Sequence, residues 1–470
     1  MVWFSEVNME IKVLGAAKEV TGSCYSLVSG ENSILIDCGM FQGGKDLERL
    51  NYENFGFSPR KYKALLLTHA HLDHCGRIPL LVKNGFRGKI YCTDATKALA
   101  FIIMADSAKI AEEDTRNENR RRAMDNLPPR KPIYTPADVN DAMRLFITVK
   151  YGENVRVTKD VNVKYYDAGH ILGSSSVQIG VNENGKIKNI VFSGDLGQEN
   201  SILVKNKSLI QKADYVFMES TYGDRLHDPI EKRKRELIRV INETYKRGGK
   251  IMIPSFAVER TQELLFYIGQ FMDEGIIPKM PVFLDSPMAI KSTDVFKKFM
   301  KYFNADVQER LKETNDVFGF PQLTLTRGRA ESMTINGISE PCIIIAGNGM
   351  CTAGRIKHHI ANNIEDDKNT LLFVGFQVDG TLGYWIKKGE KHIRLLGREV
   401  EVKARVESID GFSAHADKVE LLKWLKGFSP KPKRVFIIHG DVDQQLALSK
   451  NLAKEKYESY IPSLNEELEL

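Results

Sequence analysis

Twelve residues, "LLLTHAHLDHCG" (65–76), carry three of the ten histidines in the chain and one aspartate. "ALLLT" reads as a buried strand, so His69 and His71, separated by Ala70, leave it on one face. Asp73 and His74 follow as the chain turns into its next element. Four nitrogen and oxygen donors within six residues suit a pair of divalent ions, two histidines for one and an aspartate with a histidine for the other. The alternative, a polar turn with incidental histidines, fits poorly with so dense a group behind an apolar run.

So short a motif leaves both coordination shells open, and three later segments share the form that would close them. "YYDAGHILGS" offers His170, "IVFSGDLG" offers Asp195, and "VFIIHGD" offers His439, each a polar residue after an apolar strand with a glycine beside it. A carboxylate can bridge two cations through its two oxygens, and Asp195 is the natural candidate. Singly, each of these residues is as readily a loop residue as a ligand; the repeated form is what joins them. "IDGFSAHADKVE" (409–420) adds His415, for which three readings stay open: a late metal ligand, a proton donor, or a polar residue near a helix that Ser413 caps.

The elements that must position these residues are legible as patterns. "EIKVLGA", "CYSLVSG", "NSILIDCG" and "KALLLTHAH" read as short strands ending at turns. A charge-rich helical stretch runs from about Ala95 to Thr148, and strands resume with "VNVKYYDAGH", "SSVQIGV", "NIVFSGD" and "ADYVFMEST". From Asp228 the pattern becomes helix alternating with buried strand, which predicts a parallel sheet flanked by helices. "EVKARVESID", a helix at "HADKVELLKWLKG" and "KRVFIIHGD" return to the earlier style, so one domain is expected to interrupt another. The length of 470 residues, with 42% hydrophobic and 27% charged composition, fits two folded domains. A net charge of +6 permits an anionic substrate without requiring one. Six cysteines without a CxxC pair read as buried free thiols, and no signal peptide or membrane span is apparent. A cytoplasmic location is expected from both observations.

The ordered set of Asp37, "HAHLDH", His170 and Asp195 resembles the metallo-β-lactamase fold, a four-layer αββα sandwich with two zinc ions at one edge. "MEST" with Glu219, "GFSAHAD" with His415 and "IIHGD" with His439 resemble the additional motifs of the β-CASP nucleases. "SFAVERTQELL", "DSPMA", "GNGMCTAGR" and "GFQVDGTLG" are similar to the inserted domain of the polyadenylation-type members. The resemblance covers nearly the whole chain. It implies an α/β architecture in which residues 1–208 and 391–470 form the metallo-β-lactamase domain and 209–390 an inserted β-CASP domain.

By that resemblance one zinc takes His69, His71 and His170, the other takes Asp73, His74 and His439, and Asp195 bridges them. Asp37 would orient a ligand, or alternatively cap the "CGMFQGG" turn. The implied reaction is hydrolysis of single-stranded RNA by a metal-activated water, leaving a 5′-phosphate and a 3′-hydroxyl, with endonuclease and exonuclease modes both open. His415, held by Glu219, would protonate the leaving oxygen. Histidine rather than valine at 439 follows the RNA-acting pattern, with an Artemis-like DNA nuclease and a non-catalytic RNA-binding scaffold as the other readings. A homodimer is compatible with the family. In the insert, Ser255, Gly347, Gly349, Gly380 and Thr381 are candidates for substrate contact. Arg260 either touches substrate or pairs with Glu259 or Glu263. The basic runs "NRRRAM" and "KRKRE" read as solvated helix faces in preference to an RNA track.

Overall fold

The computed structural model describes residues 9–183, 185–375, 377–378, 380–409 and 413–470. It divides into two compact units, residues 1–226 with 415–470, and residues 227–414.

In the first unit, among the described residues, two seven-stranded sheets are formed. One runs in the order Glu467–Glu469, Glu10–Val13, Tyr25–Ser29, Asn32–Ile36, Ala64–Leu66, Lys89–Cys92, Phe146–Thr148. The other runs Ser459–Tyr460, Arg434–Ile437, Tyr215–Met218, Lys186–Phe192, Ser175–Glu183, Val161–Asp167, Asn154–Arg156. Their alternating apolar residues meet in one core, with Ile11, Leu27, Ile34 and Leu66 from the first sheet and Val163, Ile179, Phe192 and Phe217 from the second. Burying side chains of this size is worth about 1.5–3 kcal/mol each. The helices Lys418–Leu425 and Val442–Lys454 pack Leu421, Trp424, Leu448 and Leu452 with Val191, Val216 and Val435, the outward-pointing residues of the second sheet.

Strand direction and register explain why the polar residues converge. Lys186–Phe192, Tyr215–Met218 and Arg434–Ile437 are mutually parallel, with Phe192, Phe217 and Phe436 in register. Their rings stack at 4.5 Å centroid separations. Asp195, Glu219 and His439 follow a few residues beyond this ladder and so emerge at one edge. In the other sheet Asn32–Ile36 and Ala64–Leu66 are parallel as well, which brings Asp37 beside Thr68 and His69.

The second unit contains a six-stranded sheet, parallel at every pairing, in the order Leu323–Leu325, Val282–Asp285, Ile343–Ala346, Ile251–Pro254, Thr370–Phe373, Arg405–Ser408. The helix Ile230–Lys246 leads into its first strand, and the helices Arg260–Asp273, Pro287–Lys298 and Ile356–Asn363 are among its connections. The divisions fall later than the expected residues 209 and 391. Tyr215–Met218 hydrogen-bonds between two strands of the first unit. Arg405–Ser408, whose sequence style suggested the first domain, is the edge strand of the second unit's sheet.

All six cysteines are buried and unpaired. Among the described residues no helix is long and apolar enough to cross a membrane. The basic run at Lys232–Arg235 lies on the helix Ile230–Lys246, several of whose charges are paired: Lys232 with Asp228, Lys234 with Glu231, and Arg239 with Glu236, Glu243 and Glu407.

Candidate metal centre

Every expected ligand lies in the first unit, and the structure brings all seven together. His69, His71, His170 and Asp195 form one group, and Asp73, His74 and His439 a second, with the donor atoms of each group within 4.8 Å of one another. Asp195 stands between them. Its Oδ2 lies 3.4 Å from His69 Nε2 and 3.5 Å from His170 Nε2, while its Oδ1 lies 3.3 Å from His74 Nε2. One carboxylate oxygen therefore faces each group.

The separations test whether a metal fits. A tetrahedron with a centre-to-donor distance of about 2.1 Å has edges of about 3.4 Å. His71 Nδ1 is 3.1 Å from His69 Nε2 and 3.2 Å from His170 Nε2. In the second group His74 Nε2 to His439 Nε2 is 3.2 Å, His439 Nε2 to Asp73 Oδ2 is 3.3 Å, and His74 Nε2 to Asp73 Oδ2 is 3.7 Å. These separations are of the size that two such donor sets would need to hold a metal ion each. Among the described residues Asp195 Oδ1 and His170 Nδ1, both buried, find no hydrogen-bond partner, a costly state for the carboxylate unless a cation faces it. The imidazole-rich donor set suits zinc among the common divalent ions.

The protonation states of the first group agree with ligation, whereas in the second group burial is outweighed by the carboxylates, chiefly Asp195, which raise His74 well above its ordinary range and raise His439 as well. Burial, reinforced by His74, pushes His69 down to about 3, and burial likewise lowers His71 to about 4 and His170 well below its ordinary range. All three rings are thus neutral with a lone pair available, the form that binds metal. For Asp195, burial is overcome by His439, His74 and His69, which hold the carboxyl well below the usual range and keep it ionised.

Surrounding residues fix the ligands. Asp37, 2% exposed, places Oδ2 2.8 Å from His74 Nδ1 and accepts hydrogen bonds from the Thr68 amide and hydroxyl, each at 2.8 Å. A carboxylate on Nδ1 selects the tautomer that leaves Nε2 for the metal. Thr221 Oγ1 stands 3.2 Å from His439 Nδ1 and does comparable work there. Thr68 and Thr221 were not singled out from the sequence, although each lies within two residues of a motif residue, in "LLLTHAH" and "MEST".

Glu219 and His415 form a third group with Asp195. Glu219 is 1% exposed and accepts from the Leu196 amide at 2.7 Å, and its Oε1 lies 3.1 Å from His415 Nδ1. The His415 ring centroid is 4.5 Å from that of His170. Burial disfavours the charged ring, but Glu219 outweighs it and raises His415 to about 9. The helix that follows is capped by Asp417, whose carboxylate accepts from the Val419 and Glu420 amides, so Ser413 is not its cap. Asp410, Gly411 and Phe412 of the same motif lie outside the described residues.

The candidates for substrate contact lie in the second unit. Ser255 is 2% exposed and Arg260 6%; the latter pairs with Glu263, the second of the two readings given above. Thr381 caps the helix Leu382–Lys387 through the Tyr384 amide, and Gly380 precedes it with φ +80°. Gly347 ends the strand Ile343–Ala346, and Gly349 lies against Phe256. Phe376 and Asp379 of "GFQVDGTLG" lie outside the described residues.

Comparison with known proteins gives a consistent result. Residues 17–156 match the metallo-beta-lactamase superfamily, 261–386 the Beta-Casp domain, and 399–462 the Zn-dependent metallo-hydrolase RNA specificity domain. Ribonuclease TTHA0252 of Thermus thermophilus is 38% identical over 445 residues, which is 95% of this chain and 96% of the relative. Transcription termination factor FttA of Methanocaldococcus jannaschii is 30% identical over 97% of this chain and 70% of its own length. A crystal structure of an Enterococcus faecalis protein of unknown function aligns with 98% of this chain and 100% of that one, at a TM-score of 0.54; at 15% identity it bears on the fold alone. Identity sustained along nearly the full length, with three domain matches around a clustered His/Asp donor set, leads to one conclusion: the chain belongs to the β-CASP family of metallo-β-lactamase-fold nucleases.

Proposed function

We propose that this protein is a two-zinc ribonuclease that hydrolyses phosphodiester bonds of single-stranded RNA and leaves 5′-phosphate and 3′-hydroxyl ends. The observation that carries the reading is Asp195, with one oxygen toward each donor group and the Glu219–His415 pair alongside. The RNA assignment draws on the ribonuclease relative and on the RNA specificity domain matched at 399–462.

His69, His71 and His170 would hold one ion and Asp73, His74 and His439 the other, with Asp195 shared. Such ions, when bound, supply an activated water and neutralise charge on the phosphodiester. Asp37 and Thr221 keep His74 and His439 in fixed orientations. His415 donates Nδ1–H to Glu219, which leaves its Nε2 to hand a proton to the departing oxygen. The two proposed ligand sets would each supply four donors without His415, which would free it for that task.

The test uses zinc-loaded protein with end-labelled single-stranded RNA, matched DNA, and RNA blocked at both ends. Cleavage of RNA to 5′-phosphate products is expected, and fragments from the doubly blocked RNA identify endonuclease action. Absence of cleavage of any nucleic acid overturns the reading, and cleavage of DNA alone replaces it with the DNA-nuclease alternative.

A further inference from the structure

In the second unit, Phe256 follows the strand Ile251–Pro254 at the C-terminal edge of the parallel sheet, where open α/β sheets place their ligands. It is 44% exposed, although Ser255 and Ala257 on either side are buried. A single exposed aromatic is unremarkable by itself. Its surroundings are what distinguish it.

A Cβ built on Gly349 would lie 2.9, 3.0 and 3.2 Å from Cε2, Cδ2 and Cζ of the Phe256 ring. Three nearly equal distances to consecutive ring atoms place that point above the face of the ring; in the ring plane beyond one atom, the two flanking distances would be much longer. Any side chain at 349 would displace the ring. The Phe256 ring therefore rests by one face on bare backbone at Gly349, and Gly375 comes near the ring at one atom, its Cβ position 3.9 Å from Cε2. The Phe256 carbonyl is pinned by the hydroxyls of Thr261 at 2.7 Å and Ser255 at 3.3 Å. Gln377 Nε2 holds the Gly349 carbonyl at 2.9 Å. The result is a flat apolar ring, supported from behind and held at its backbone, that still exposes nearly half its surface.

We infer that Phe256 is a nucleobase-stacking platform for single-stranded RNA, with Gly349 as its backing. This rests on the RNA reading above and names a specific contact for it. Every base presents a π-face, so the platform would bind without strict sequence preference, and purines, with the larger face, would be held more tightly. It also gives Gly349 a role other than direct contact with substrate: the residue is glycine because the ring occupies the space a side chain would need.

The experiment measures KM and kcat of the zinc-loaded full chain on a labelled single-stranded RNA oligonucleotide of mixed sequence, and on a series carrying one abasic site at each position in turn. Phe256→Leu keeps apolar bulk without a π-face, Phe256→Trp keeps the π-face, and thermal melting confirms that each variant folds. Phe256→Leu is expected to raise KM roughly ten-fold with little change in kcat, and Phe256→Trp to stay near wild type. One abasic position should cost the wild type a similar factor and cost Phe256→Leu almost nothing. Wild-type KM in Phe256→Leu, or abasic penalties equal in wild type and variant at every position, overturns the platform while leaving the ribonuclease reading intact. A wild-type protein that cleaves no RNA overturns both.

Discussion

In the proposed mechanism Asp195 carries more of the chemistry than any other residue, because its two oxygens face different donor groups. Asp195→Asn keeps the shape but removes the charge and one of the two acceptor oxygens. Bound metal is expected to fall from two ions per chain to one or fewer, with activity lost by several orders of magnitude. His415→Ala should behave differently. Both metals stay, while turnover drops by about 10²–10⁴, the range that general acid catalysis contributes. Metal analysis of the two variants beside their kcat separates a bridge from a proton donor; loss of an ion in His415→Ala moves that residue into the ligand set. The residues of this site are largely legible in the sequence, since metal binding demands a few donor types and strand ends deliver them in a recognisable form. Lys207 is not legible. It is 9% exposed, and burial lowers its pKa, but its significance depends on a loop that only folding brings to it.

At the scale of elements, the loop 195–198 joins the parts of the centre. The Leu196 amide donates to Glu219 and its carbonyl accepts from Ala416 at 2.6 Å. The Gly197 amide donates to Ala168 beside the His170 turn, and Gly197 forms a β-bridge with His415. A Cβ at Gly197 would lie 1.6 Å from the Gly169 carbonyl oxygen, so the two ligand-bearing loops pack backbone to backbone. Lys207 Nζ completes the arrangement by donating to the Gly197 carbonyl at 2.8 Å. Lys207→Met leaves that buried carbonyl without its partner, a cost of about 1–3 kcal/mol, and loosens the segment that carries His415. The expected result is a lower melting temperature with both metals retained, kcat reduced roughly ten-fold and KM unchanged; a kcat equal to wild type shows that His415 is held without Lys207. Element types are readable from apolar period, but pairing is not. "RVES" at 405–408 alternates like a strand of the first unit and instead hydrogen-bonds, in parallel, to Thr370–Phe373. Phe256 is obscure for a related reason, because a lone aromatic in "PSFAVER" has no period and acquires meaning only from Gly349, distant in sequence.

The whole molecule places all seven proposed ligands in one unit and none in the other. Each unit has its own apolar core: one between the two sheets of the first unit, the other around Ile356, Ile360, Leu371 and Phe373 in the second. The change of period in the sequence leads to the expectation that one domain interrupts another, while the compact units divide at 226 and 415, with Tyr215–Met218 and Arg405–Ser408 joining different sheets. Metal should therefore stabilise the two units unequally. A ligand that binds only the folded form adds RT ln(1 + [L]/Kd), about 4 kcal/mol at a thousand-fold excess over Kd. Without it, the first unit retains the buried carboxylates Asp37 and Asp195 amid histidines whose ring nitrogens stand 3.1–3.2 Å from one another. Calorimetry of the metal-saturated and chelated protein is expected to show one transition moving to lower temperature on chelation while another stays in place. Hydrogen exchange should assign the moving transition to residues 1–226 and 415–470. Both transitions shifting by the same amount would mean that the units unfold together despite their separate cores, and no shift at all would remove the metal from the folding free energy of the first unit.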